Sequence, residues 1–427
     1  MKNILYRLFT LSLTITCLLA GAAGVSGAAE AGGTKEPKLW PDKVKVGGEF
    51  RTRLEARIND DLNSAASDDD TFVLLRTRIY LDLNPMSYVR LYAMFQDSET
   101  LGQNTSALIK TPDRHKFYQG WVFLKNAGPF STSLKMGRQE FVYGDARLVG
   151  NNNWNNLGRS FDGAVVRLEN SDFWLDLFGS RIHPNGKENQ FAGAYAQWKK
   201  FPQGELEAYA LYLHGSKSGL GNGSLSIATI GSRIKGKFKK NYDYGFEGAY
   251  QTGDSAGNLV SAFATHLHLG YTFPLSFKPR VGIEYNFASG DDNPKTGTVT
   301  TFNNLFPTNH DKYGYMDLFS WKNLHDFRFS FDTQPLEWFK TKLDYHAFLL
   351  PDPANGVFLA NGTQYRAGVP GASHFAGQEL DLLFTFKPWK YVDALVGYSV
   401  FFPGAFFKDT GSSDTSQFFY TQVSWHY

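Results

Sequence analysis

Nine arginines carry the chemistry this sequence could do: Arg51, Arg53, Arg76, Arg78, Arg90, Arg138, Arg159, Arg280 and Arg328. A guanidinium is planar, holds a carboxylate through two parallel hydrogen bonds and does not lose its proton. Arg51 and Arg53 are two residues apart, as are Arg76 and Arg78. In a β-strand that spacing puts both members on one face. Pairs of this kind on neighbouring strands would give an acidic solute a fixed positive surface. Acids share these faces, among them Glu49, Glu55, Asp82 and Glu284, so pairing across strands is the competing use of each arginine.

A second candidate is the run GRQEFVYGDARLVGNNNWNNLGRSFDG at 137–163. It is too polar for a core and too aromatic for a linker. A hydrolytic site would need Ser160 or Asp162 beside a histidine, and none is near in sequence. His310 and His325 would have to arrive by tertiary contact, and no enzyme is expected. The asparagines and glycines of the run supply turn geometry. Glu140, Asp145, Arg147, Trp154 and Asp162 are read as residues that organise a folded loop. Gly290–Asp292 offers oxygens of the kind calcium takes, without the spacing of an EF-hand loop. Solvated loop acids are the ordinary reading, so no cofactor or metal is expected.

Elements of a particular kind must position these residues. The chain starts with Lys2 and Arg7, an apolar run from Leu8 to Val25 and a small-residue cluster, SGAAEAG. That order predicts a secretory signal peptide over 1–28, then a short periplasmic segment, 29–42. The single cysteine, Cys17, falls inside the signal, so disulfides and thiolate chemistry are excluded beyond it. Setting aside Lys2 and Arg7 from the 43 basic residues leaves 41, against 41 acids. That balance gives no global attraction to nucleic acid. No later apolar run reaches the roughly 18 residues of a membrane-spanning helix.

Alternation then decides the class. From Lys43 to Ile58 the odd positions are almost all ionic and the even ones almost all apolar. Similar patterns recur at 71–84, 88–96, 280–288, 327–332 and 338–348. The apolar faces are rich in Phe, Tyr and Leu, and aromatic residues make up 16% of the chain. A barrel closed in lipid accounts for a polar inside, an apolar outside and the lack of free edges. The fold class is all-β, a transmembrane antiparallel up-and-down barrel over 43–427. Eighteen strands are expected, or sixteen if 226–239 and 259–273 are not strands. Tight links such as PMS at 85–87 alternate with long ones at 98–112, 142–159, 289–321, 350–376 and 404–415, the latter placed outside the cell. The alternating end FFYTQVSWHY closes on an aromatic residue, and the barrel-assembly machinery is an expected partner.

Three segments resemble the bacterial alginate-export porin family: the run at 137–163, the stretch from Ala288 to Phe329, and the paired arginines Arg51/Arg53 and Arg76/Arg78. The resemblance spans nearly the whole chain after the signal. It implies an eighteen-stranded outer-membrane barrel with an arginine-lined lumen that loops partly close, and an anionic polysaccharide as solute. The expectation is therefore passive diffusion of an anionic or oligomeric solute, with an alginate-like polyuronate as the candidate. A non-selective or cation-tolerant general porin is the alternative, and a surface adhesive barrel a further one.

Overall fold

The computed structural model describes residues 43–427 apart from 66–67, 104–111, 113, 127–130, 183–188, 203, 217–223 and 294–296. The expected signal peptide at 1–28, the segment at 29–42 and much of loop 98–112 lie outside the described residues. The alternating segments become strands: β1 (Val44–Ile58), β2 (Asp70–Met86), β3 (Val89–Leu101), β4 (Arg114–Lys125), β5 (Ser133–Gln139), β6 (Phe161–Glu169), β7 (Phe173–Ile182), β8 (Asn189–Trp198), β9 (Gly204–Ser216), β10 (Ser224–Phe238), β11 (Tyr242–Ser255), β12 (Asn258–Thr272), β13 (Arg280–Ala288), β14 (Leu324–Leu336), β15 (Phe339–Leu349), β16 (Val357–Phe358), β17 (Gln364–Arg366), β18 (Phe375–Trp389), β19 (Val392–Pro403) and β20 (Ser416–His426). The short β16 and β17 pair only with each other, inside a loop. The other eighteen form one sheet in which each strand pairs with the next. Both doubtful segments are strands, β10 and β12.

The terminal aromatic strand closes the barrel. β20 runs antiparallel to β1, from Glu49 opposite His426 to Ile58 opposite Gln417. Gly48 and Tyr427 finish the seam with two main-chain hydrogen bonds, 3.1 and 3.2 Å. Closure satisfies every strand edge, which a bilayer requires. The outer face carries exposed apolar side chains, including Ile79, Phe95, Ile230, Leu267, Ile283, Phe329 and Leu382. Trp198, Trp338, Trp389, Tyr88 and Tyr391 stand exposed at the short-turn end, as an interfacial aromatic girdle does.

Long and short links alternate as expected, with one exception. β11 and β12 are joined by Ala256 and Gly257 alone, both at positive φ (55° and 86°), the backbone of a two-residue hairpin turn. This tight turn sits at the long-loop end.

The interior departs from the simple polar-in pattern. On the long-loop half, the inner wall carries Phe161, Phe178, Phe191, Leu211, Leu213, Ile227, Phe348, Phe401 and Phe418, all buried. What buries them is loop. Phe141, Phe302, Phe306, Tyr313, Met316, Leu318, Phe319 and Trp321 fold inward and join one continuous cluster with the wall. Ala249, Ala262, Ala264 and Ala288 belong to that cluster and leave room for larger loop side chains. The barrel thus holds an ordinary close-packed core in its upper half.

Candidate functional site

The loop between β5 and β6, residues 140–160, is built into the lumen and is held by both walls. Its tip lies on β1, β2 and β3. Arg51 donates to the Asn153 carbonyl (2.8 Å) and to Asn156 Oδ1 (3.0 Å). Arg53 donates to the Trp154 carbonyl (2.8 Å) and lies flat on its indole, 3.7 Å from the ring centre. Arg76 donates to the carbonyls of Asn153 (3.0 Å) and Asn155 (3.3 Å). Gln96 reaches the carbonyls of Asn156 and Leu157, and the Ser98 hydroxyl also donates to Asn156. Asn156 is wholly buried and donates from Nδ2 to the main-chain oxygens of Leu75 and Glu99. Strand carbonyls and loop carbonyls are thus tied together by side chains. Each such bond is favoured because the alternative is a buried polar group without a partner.

Asp145 and Arg147 bind the opposite wall. Asp145 accepts from Arg233 (2.7 Å) and Lys235 (3.0 Å) on β10. Burial pushes its carboxyl up, but Arg233 and then Lys235 outweigh burial and hold it well below the usual carboxylate range. Arg147 donates to Tyr313 OH (3.2 Å), Glu284 (2.9 Å) and His266 Nε2 (3.2 Å). Burial works against its charge, yet Tyr313 and Glu284 raise it above the ordinary arginine value. Arginine can only donate, so His266 Nε2 accepts and its ring proton sits on Nδ1, facing Asn286 Oδ1 at 2.8 Å.

A second inserted loop, between β13 and β14, locks the first. Val149 and Phe306 form a parallel bridge. Gly150 N–H donates to the Phe306 carbonyl and Phe306 N–H to the Leu148 carbonyl, both at 2.8 Å. Arg159 donates to Gly150 O (3.1 Å) and Pro307 O (2.9 Å), spanning the two loops. Burial lowers its pKa to about 10, which leaves it charged at neutral pH. His310 stacks on the free face of Trp154 at 3.6 Å, so the indole is sandwiched between Arg53 and imidazole.

Beneath the loops, against β10–β15, lies a chamber of about 470 Å³. Arg147, Lys235, Arg280, Lys312, Arg328 and Lys342 line it, against Asp145, Glu284, Asp311 and Asp332. Positive side chains outnumber acids there, in a chain whose charges otherwise balance. Most are paired: Arg280 holds Asp243 through two bonds (2.9 and 2.6 Å) and Asp332 at 3.1 Å. Arg328 meets Asp344 (2.5 Å) and Glu284 (3.5 Å). Pairing fixes each guanidinium in place and leaves the chamber surface a weak cationic lattice.

Of the nine expected path residues, Arg159 spans the two loops, and the other eight separate into four groups. Arg280 and Arg328 line the chamber. Arg51, Arg53, Arg76 and Arg78 are buried. Three of them clamp the loop tip, while Arg78 donates to Gln96 (2.7 Å) and lies over Tyr118. Arg90 is held by Asp82 (2.8 and 2.7 Å) near the short-turn end. Arg138 was expected to face the lumen, and the structure corrects this. Met136, two residues before it, is exposed, while its neighbour Gln139 is buried. Arg138 therefore stands on the outer face and holds Asp162 with two bonds (2.6 and 2.8 Å), joining the strands that flank the loop.

The loop-organising residues each have a visible contact: Glu140 accepts from Tyr118 OH (2.6 Å) and Asn151. Sequence reasoning missed Gln96, Ser98 and Asn156 as anchors. In sequence the NNNWNN run reads as turn chemistry, and only the partners reveal which asparagine reaches the wall. His310 donates from Nδ1 to Asp317 (2.9 Å), and His325 meets Tyr285 OH (2.8 Å). Asp291 accepts the Asn293 N–H within its own turn, and among the described residues no three acidic or histidine side chains are gathered for a metal ion.

Comparisons with known proteins agree with this fold. The family described as alginate export matches residues 42–421. No curated relative matches the chain in sequence. Several solved structures share the fold at low identity. OccAB1 of Acinetobacter baumannii superposes with a TM-score of 0.60 at 12% identity, over 92% of this chain and 98% of that one. The outer-membrane protein OpdK of Pseudomonas aeruginosa gives 0.59 at 10% identity, over 90% and 99%. OprD of the same organism gives 0.58 at 11%, over 90% and 94%.

Proposed function

The chain belongs to the alginate-export family of outer-membrane proteins, and from that premise we propose that the solute it passes is an acidic saccharide. The barrel is an outer-membrane porin for passive diffusion, not an enzyme. The observation that carries the solute class is the chamber beneath the loops, whose surface shows six basic side chains to four acids, with Asp243 and Asp344 set behind them as partners of Arg280 and Arg328. Rings of fixed positive charge favour anions, and their affinity must stay low for solutes to leave. Pairing of Arg280 and Arg328 with carboxylates provides that moderation, because a solute must compete with Asp243, Asp332 and Asp344 for each guanidinium. A polyuronate presents a carboxylate on each sugar and can pass from one paired arginine to the next.

Reversal potential across a planar bilayer in a potassium chloride gradient tests this reading. Chloride should be preferred, and oligouronates should block the current from either side. Arg280→Glu with Lys342→Glu should shift the preference toward potassium. A wild-type channel that already prefers potassium, and that oligouronates leave untouched, would sink the acidic-solute reading.

A further inference from the structure

At the opposite, long-loop end a smaller cavity of about 220 Å³ lies between β1, the two inserted loops and residues 359–361. Three of its lining side chains are more than nine-tenths buried, and each has one polar atom without a hydrogen-bond partner: Arg57 Nη1, Asn309 Oδ1 and His310 Nε2. Each is fixed by its other end. Arg57 donates through Nε to Glu55 (3.2 Å) and lies over Phe418. Asn309 Nδ2 donates to the Ala360 carbonyl (3.0 Å), and His310 Nδ1 to Asp317 (2.9 Å). Buried polar groups are ordinarily satisfied, and a cluster of orphans around one cavity calls for an occupant.

The orphan set is specific in kind. Arg57 Nη1 is a charged donor, and its nearest acid, Asp60, is at 3.7 Å, beyond hydrogen-bond reach. Asn309 Oδ1 is an acceptor. His310, with its proton committed to Asp317, offers a second acceptor at Nε2. A carboxylate answers the first and hydroxyls answer the other two. The charges on the cavity wall point the same way: Arg53, Arg57 and Arg159 against Glu55 and Asp317. A water occupies about 30 Å³ of liquid, so the space equals roughly seven waters, the scale of one small solute and not of a polymer. We infer that this cavity is a binding site for a single hydroxylated carboxylic acid of the sugar-acid class, seated between the two loops at the extracellular mouth. The inference rests on the channel reading for its solute class, but the site is separate from the chamber and uses none of its residues.

Titration calorimetry of the detergent-solubilised full chain with glucuronate, and with glucose as the neutral control, tests it. Glucuronate should bind at one site and glucose should not. Arg57→Gln and His310→Phe should each weaken binding about tenfold or more, as loss of a hydrogen bond to a charged or buried group does. The phenylalanine keeps a ring on Trp154, so that variant retains the stack even if the glutamine variant fails to fold. The part of glucuronate binding that Arg57→Gln removes should persist in Arg280→Gln with Lys342→Gln, in the chamber. Binding lost only in the chamber pair would overturn the site, and so would absence of glucuronate heat, which would mean that water fills the cavity. A potassium-selective channel that still bound glucuronate through Arg57 would remove the chamber reading and leave this site standing.

Discussion

At the scale of single residues, Asn156 and Asp145 define how the first loop is held. Asn156→Ala removes two bonds to strand carbonyls and one from Arg51. At about 1 kcal/mol for each ordinary bond, loop docking should weaken by about 3 kcal/mol while the strands stay paired. Single-channel recordings should then show a higher or noisier conductance, and a trace that overlays wild type would refute the anchor. Asp145 sets the acid limit. Its carboxyl is held below its ordinary value, so its contribution to docking is present above the unfolded pKa of about 3.9 and is lost only as pH falls through the lower folded value. Conductance of the wild type should therefore change little from pH 7 to about pH 4 on this account. Asp145→Asn should loosen the loop across that whole range, and a wild-type transition near pH 4 that this variant abolishes would contradict the assignment.

Among the elements, the strands were legible and the loops were not. Period-two alternation follows from the pleat, so β1, β2, β13 and β15 could be read from their two faces alone. The side of Arg138 could not be fixed from β5, a strand of seven residues with Leu134, Met136 and Gly137 as its apolar guides. The insertion of the loops left a trace that the alternating pattern hid. β8 and β9 have apolar residues on both faces: Phe191, Tyr195, Tyr209 and Leu211 are buried inside, and Trp198 and Tyr212 stand exposed outside. A strand buried on both faces has something packed on each side, and in a barrel the inner packing must be loop. Trp321 is the test of that packing, being wholly buried in the β13–β14 loop against Phe302. Trp321→Ala should cost about 3–5 kcal/mol of loop packing, seen as faster proteolysis of 289–323 in an otherwise intact barrel. Equal proteolysis rates would show that the loop is held by its polar contacts alone.

For the whole molecule, family, fold and chamber together describe a passive outer-membrane conduit. In the reading proposed above, its selectivity comes from paired arginines below the loops, and its aperture from the two loops themselves. The two-residue link Ala256–Gly257 makes the long-loop rim low at β11 and β12. The apolar cluster inside the upper barrel has a further consequence. Its contacts are those of a water-soluble protein, driven by exclusion of water, whereas the wall around it is held by hydrogen bonds shielded in lipid. The two parts should yield to different stresses. Urea weakens the first kind of contact by solvating apolar and peptide groups, and lipid shelters the second. Moderate urea applied to the reconstituted channel should release the loops first and reversibly widen the current, well before the barrel loses its strands: denaturant would open this protein before it unfolds it.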